Sequence, residues 1–137
     1  MIVIADTGPL YALIDRSDAW HRRVADWWSA QTGLVLVPAV VLPEVCYLLQ
    51  TRIGTAAEQA FVGAVVAGEF ITEPLEQEDI KRAAALMQQY ANLPLGFVDS
   101  VVIATAERLS ASAILTSDRR HFTVVRDVRG AAFRLQP

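Results

Sequence analysis

The chain has 137 residues, of which 53% are hydrophobic and 20% charged, with a mean hydropathy of +0.33. That is enough apolar material to bury one core, so residues 1–137 are expected to form a single domain, and a disordered or low-complexity chain is excluded. The formal net charge of -3 argues, on its face, against a polyanionic partner.

Met1 to Ala5 is a continuous apolar run that stops at Asp6, and it reads as a buried strand. Pro9 suits the first turn of a helix carrying Leu10, Leu13 and Ile14. Asp18 is placed to cap a second helix in which Trp20, Val24, Trp27 and Trp28 recur at helical spacing. That spacing assigns the three tryptophans to a core or interface rather than to base stacking. Gly33 ends the helix, and Leu34 to Val37 is a second strand. Val40 to Arg52 is helical through Val41, Val45, Leu48 and Leu49, with Pro43 in its first turn and Gly54 as its stop. Thr55 and Glu58 have the spacing of a capping box for a helix reaching Gly68.

Phe70 to Thr72 is a third strand, and Glu76 to Tyr90 a helix with Ile80, Ala83, Ala84 and Met87 facing inward. A loop at residues 92–96 precedes a helix from Phe97 to Leu109. Ala113 to Leu115 is a strand, and Val124-Val125 is expected to be a short edge strand. Strands alternating with one or two helices imply an α/β fold, a parallel sheet of four to five strands between two layers of helices. In such sheets ligands bind beyond the carboxyl ends of the strands.

Four acids fall where that rule places chemistry. Asp6 follows the first strand and Asp118 the fourth. Glu44, between Val41 and Leu48, and Asp99, ahead of Val102, Ile103 and Ala106, are expected on the core faces of their helices. Each has a structural alternative: a helix cap for Asp6 or Asp99, an internal Arg salt bridge for Glu44, an ordinary turn for Asp118. Together they converge on one end of the sheet, where an uncompensated buried ion costs ~3–5 kcal/mol and a divalent cation is the simplest means of holding them. An all-oxygen donor set selects Mg²⁺ or Mn²⁺ over Zn²⁺, and such an ion can polarise a phosphoryl oxygen and activate water.

These segments resemble the PIN-domain ribonucleases, and the VapC toxins among them. The resemblance rests on Ile4-Ala5-Asp6-Thr7-Gly8, on Val37-Pro38 leading to Val41-Leu42-Pro43-Glu44-Val45, on Leu95-Gly96-Phe97-Val98-Asp99-Ser100, and on Ile114 to Phe122. It covers essentially the whole chain. It implies a three-layer PIN-like fold and a metal-dependent endoribonuclease acting on single-stranded regions of structured RNA such as tRNA or rRNA. It also implies a homodimer and a small cognate antitoxin. By the same resemblance Asp6 and Asp99 are the principal Mg²⁺ or Mn²⁺ ligands, Glu44 a second acidic ligand and Asp118 the variable fourth acid, all four catalytic, with Thr7 and Thr116 supporting. Gly8 departs from the family, which often has Ser or Asn there.

The uneven charge fits this reading. Residues 1–107 carry 13 acidic and 6 basic side chains, residues 108–137 only 2 acidic and 6 basic, and every cation except Lys81 is Arg. Arg119 and Arg120 would grip RNA phosphate beside the acids, and Arg126, Arg129 and Arg134 would extend the path or decorate an edge strand. A phosphatase is disfavoured because position 8 is Gly where a second Asp is usual; an RNA- or protein-binding domain without turnover is the other alternative. Cys46 alone excludes a disulfide framework, and two histidines, His21 and His121, disfavour a His-built metal centre. The uncharged stretch from Trp27 to Pro43 is shorter than the ~20 apolar residues of a span, and Asp6 comes too early for a signal peptide. A soluble, cytoplasmic protein without membrane contact is expected.

Overall fold

The apolar runs of the chain are too short to hide themselves and must be covered on both faces, which is the condition for a parallel sheet. In the computed structural model, which describes residues 1–137, five parallel strands lie in the order β3-β2-β1-β4-β5. They are β1 (Ile2–Ala5), β2 (Leu34–Pro38), β3 (Ile71–Glu73), β4 (Ala113–Leu115) and β5 (Leu135–Gln136). The helices are α1 (Thr7–Ile14), α2 (His21–Ala30), α3 (Val41–Arg52), α4 (Thr55–Val66), α5 (Gln77–Gln89), α6 (Phe97–Arg108) and α7 (Arg119–Phe122).

From β1 the chain steps to β2 and β3 through α1 to α4, then crosses back to β4 and β5 through α5, α6 and α7. α1 packs on α2 and α3, and α3 on α4, while α5 packs on α6. Right-handed crossovers put these two groups on opposite faces. The core lies between: Val3, Ile4 and Ala5 of β1, Val37 of β2 and Ile114 and Leu115 of β4 are buried, with Val45 and Leu49 of α3 on one side and Val102 and Ile103 of α6 on the other. Residues 100–106 of α6 are buried on every face, as small and branched side chains allow.

Several local expectations are corrected. The last strand is Leu135–Gln136, paired in register with Ile114 and Leu115. Val125 of the expected Val124-Val125 strand instead packs into the core after α7, while Val124 is exposed. Asp18 does not cap α2; its Oδ1 accepts the Trp20 N–H at 2.8 Å and shapes the turn ahead of the helix. Thr55 opens α4 without a side-chain cap bond, and Gly54, at φ 147°, takes the cap position that a side chain would strain. In α5, Ile80, Ala84 and Met87 face outward and only Ala83 of the expected stripe is buried, with Leu86 beside it.

The reason for that rotation is ionic. Arg108 at the end of α6 donates to both carboxylate oxygens of Asp79, at 2.8 and 3.0 Å, and to Glu73 Oε1 at 3.1 Å, while Arg82 pairs with Glu107 at 3.1 Å. Asp79 is only 1% exposed and also accepts the Glu76 N–H at 3.0 Å, so it pulls its own face of α5 inward. Arg108→Met strands this carboxylate and is expected to lower stability by about 3 kcal/mol in urea unfolding. Arg108→Lys should recover only part, since an ammonium lacks the fork.

Candidate metal-dependent active site

Because β1 feeds a helix on one face and β4 feeds a loop leading the other way, the chain parts between them and leaves a crevice at their carboxyl ends. Register puts Ala5 beside Leu115, and the Asp6 N–H donates to the Leu115 carbonyl at 2.9 Å. Asp6 and Thr116 therefore leave the sheet side by side. The Thr116 hydroxyl donates to Asp6 Oδ2 at 3.0 Å and accepts the Asp118 N–H at 3.0 Å, tying the first acid to the fourth. Asp6 occupies the cap position of α1 without making a cap bond through its side chain.

Glu44 and Asp99 arrive from opposite faces. Glu44, in the first turn of α3, accepts the Thr7 hydroxyl at 2.8 Å and has no Arg partner. It is exposed, contrary to the expected core-face burial, because the buried stripe of α3 runs through Val41, Val45 and Leu49 and leaves Glu44 at its side. Asp99, in the first turn of α6, is half-buried. Asp118 caps α7 by accepting the Arg120 N–H at 3.2 Å.

His121 is a member of this site that the sequence reading left without a role. Its Nδ1 lies 3.3 Å from Asp99 Oδ2 and 3.4 Å from Asp118 Oδ2. The usable signal was its spacing of three from Asp118 next to Phe122, whose burial anchors α7 and turns His121 toward the acids. The Gly8 departure also has a steric account: a Cβ at position 8 would stand 2.3 Å from Ser117 Oγ. A hydroxyl from the β4 end fills that space.

Of the basic residues, Arg119 donates to the Pro137 carbonyl oxygen at 2.7 Å, and the Arg120 side chain is 86% exposed with one contact of 3.9 Å to Asp118. Both flank the acids. Arg129 and Arg134 do not continue this rim; they line a cleft with Ser112 and Ala113 at the amino end of β4. Arg126 donates to the Thr123 carbonyl at 2.8 Å behind α7.

The electrostatics follow from this crowding. Burial drives the Asp6 carboxyl from 3.8 up to about 7, the charges of Asp99 and Glu44 add to the rise, and the Thr7 N–H and Thr116 hydroxyl oppose it. Asp99 is also raised by burial, with Asp118 and Glu44 adding and His121 opposing. The donors are oxygens, suited to a hard divalent cation. No three of the acidic or His side chains are already arranged to hold an ion.

A raised carboxyl pKa means that the folded state binds more protons than the unfolded one between pH 3.8 and about 7. Stability contributed by neutral Asp6 is full below that window and is lost as pH rises through it. In a chelator, Asp6→Asn is expected to melt at least about 4 °C above the wild type at pH 7.5. The gain should shrink toward pH 4; a gain independent of pH would contradict the assigned burial.

The PIN domain family model matches residues 3–127. Ribonuclease VapC26 of Mycobacterium tuberculosis is 30% identical over 135 residues, spanning 98% of this chain and 100% of that protein. The crystal structure of VapC20 from the same species, a sarcin-ricin loop cleaving toxin, superposes with a TM-score of 0.76 at 21% identity, over 82% of this chain and 86% of that one. A toxin-antitoxin complex from Klebsiella pneumoniae gives a TM-score of 0.70 at 21% identity, over 90% of this chain and 92% of that one. VapBC2 from Rickettsia felis, bound to a promoter DNA fragment, gives 0.70 at 13% identity, over 99% and 98%. With four acids gathered at the carboxyl end of a β3-β2-β1-β4-β5 sheet, the chain belongs to the PIN-domain family and, within it, to the VapC-type ribonucleases.

Proposed function

We propose that this chain is the endoribonuclease toxin of a toxin–antitoxin pair, cleaving single-stranded regions of structured RNA with Mg²⁺ or Mn²⁺ held by Asp6, Asp99, Glu44 and Asp118. The observation that carries the reading is the buried Asp6 carboxyl set beside Asp99 and Glu44, its proton affinity raised first by burial and further by both neighbours. PIN-domain nucleases of the VapC type are metal-dependent. What the ion supplies when bound is polarisation of the phosphodiester and activation of water.

The protein's own groups do the positioning. Thr116 orients Asp6, Thr7 orients Glu44, and His121 bridges Asp99 and Asp118. Arg119 and Arg120 supply phosphate contacts that set the strand against the acids without reading its bases. The apolar side chains left exposed on α3 and α4, Tyr47, Val62 and Val66, together with Ile53 between them, support a protein partner on that side, a second copy or a small antitoxin. The toxin-antitoxin complex from Klebsiella pneumoniae shares this fold. No helix is long and apolar enough to cross a membrane.

Purified protein is expected to cut tRNA or rRNA with Mg²⁺ or Mn²⁺ and to stop in EDTA. Asp6→Asn and Asp99→Asn should each lose at least about 100-fold in rate, while Thr116→Val should lose less, because it removes only an orienting bond. Cleavage that survives both acid substitutions would refute the assigned site, and RNA binding without cleavage by the wild type would favour the non-catalytic reading. Arg120→Ala should weaken RNA binding and lower the salt dependence by about one counterion.

A further inference from the structure

The three tryptophans separate in the structure. Trp27 and Trp28 pack against the core, with Trp28 edge-on to Phe70 at 5.6 Å. Trp20 is not among the side chains packed on the core, although it shares their helical period. It is half-buried just ahead of α2, and its ring lines a surface cleft whose other walls are Ser117, Asp118, Arg119 and Arg120. The Arg23 guanidinium lies over the ring, 4.5 Å from its centre.

The backbone at Trp20 is pinned: Asp18 Oδ1 accepts its N–H at 2.8 Å, and the next side chain, His21, reaches the Ala12 carbonyl oxygen through Nδ1 at 2.7 Å. An aromatic ring left partly in water, with one arginine over it and two more lining the same cleft, combines the elements that hold an unstacked nucleobase and its phosphate. One wall is Asp118, so whatever fills the cleft lies against the acidic site. The Arg23 guanidinium occupies one face of the indole, so a stacked base would take the other face or displace it.

We infer that the cleft is the subsite for an unpaired nucleotide adjoining the scissile phosphate, its base stacking on Trp20 and its phosphate meeting Arg120. The inference rests on the ribonuclease reading and adds to it the element that selects unpaired RNA, because a base held in a duplex cannot present its face to the ring. Stacking tolerates any base, so Trp20 supplies positioning rather than a sequence code.

The test uses the full chain and a fluorescein-labelled single-stranded oligoribonucleotide of mixed sequence. Affinity is read by anisotropy in EDTA, where no cleavage occurs, and KM and kcat are read with Mn²⁺. Trp20→Ala is expected to weaken binding about tenfold and Trp20→Leu nearly as much, whereas Trp20→Phe stays within about threefold of the wild type. KM should rise by a similar factor with kcat changed less than about twofold. An abasic nucleotide placed in turn at each position beside the cleavage point should, at one position, remove the penalty of Trp20→Ala. Circular dichroism melting checks folding, and if Trp20→Ala unfolds, the Leu and Phe pair carries the comparison.

Unchanged binding and KM in Trp20→Ala, or equal losses in Leu and Phe, overturn the inference; retained RNA affinity with loss of a protein partner would assign the cleft to that partner instead. If the wild type binds RNA in a Trp20-dependent way but never cuts it, the subsite stands and the nuclease reading fails. If it cuts RNA and Trp20 is indifferent, the reverse holds, and if it neither binds nor cuts, both fall.

Discussion

The pairing of β1 with β4 is the contact on which the rest of the molecule depends. It joins segments 110 residues apart through the Thr116 to Asp6 hydrogen bond and aligns Ala5 with Leu115. Both strands are buried on both faces, so a slip of register would move every side chain they carry. The crossover pattern then forces the chain apart at their carboxyl ends, and α3 and α6 each bring an acid to the opening from opposite sides. The site is therefore a consequence of topology, and each acid is only as well placed as the strand or helix beneath it.

That arrangement works against stability. Asp6 sits almost dry next to other carboxylates, and an acid in such a place holds its proton or destabilises the fold. α6 shows how the molecule offsets the burden. Its first turn carries Asp99 into the acidic cluster, while its last turn is clamped by Arg108 to Asp79 and Glu73. Each carboxylate at the last turn has an arginine partner, whereas Asp99, Asp6 and Glu44 around the first turn have none. Departures from local consistency are expected to gather at functional sites in this way.

The net charge of -3 is a poor guide to partners here because it sums two populations. Four of the acids, Asp6, Glu44, Asp99 and Asp118, stand near one another at the crevice and are coupled electrostatically. The arginines after residue 108 are likewise not one surface. Arg119 and Arg120 flank the acids, whereas Arg129 and Arg134 stand at the other end of β4, behind the sheet's amino edge. The two arginines after Asp118 therefore stand beside acids rather than on a separate basic surface.

Much of this was legible in the residues themselves. The apolar runs at β1, β2 and β4, the alternation with helices, the four acids at strand ends and helix starts, and the Arg-rich tail depend on local sequence and on periodicity, which a chain carries with it before it folds. What tertiary structure alone decided depends on partners distant in the chain. Asp79 could not be read as buried because its cation, Arg108, lies 29 residues away, and its pull rotates the face of α5. Leu135 could not be preferred to Val124 as the edge strand, since only pairing with Ile114 distinguishes two short apolar segments. Glu44 was expected on an apolar stripe but is exposed, since packing narrows the buried face of α3 to Val41, Val45 and Leu49. Three tryptophans on one expected period likewise divide, because α2 starts at His21 and leaves Trp20 ahead of it while Trp27 and Trp28 pack on the core.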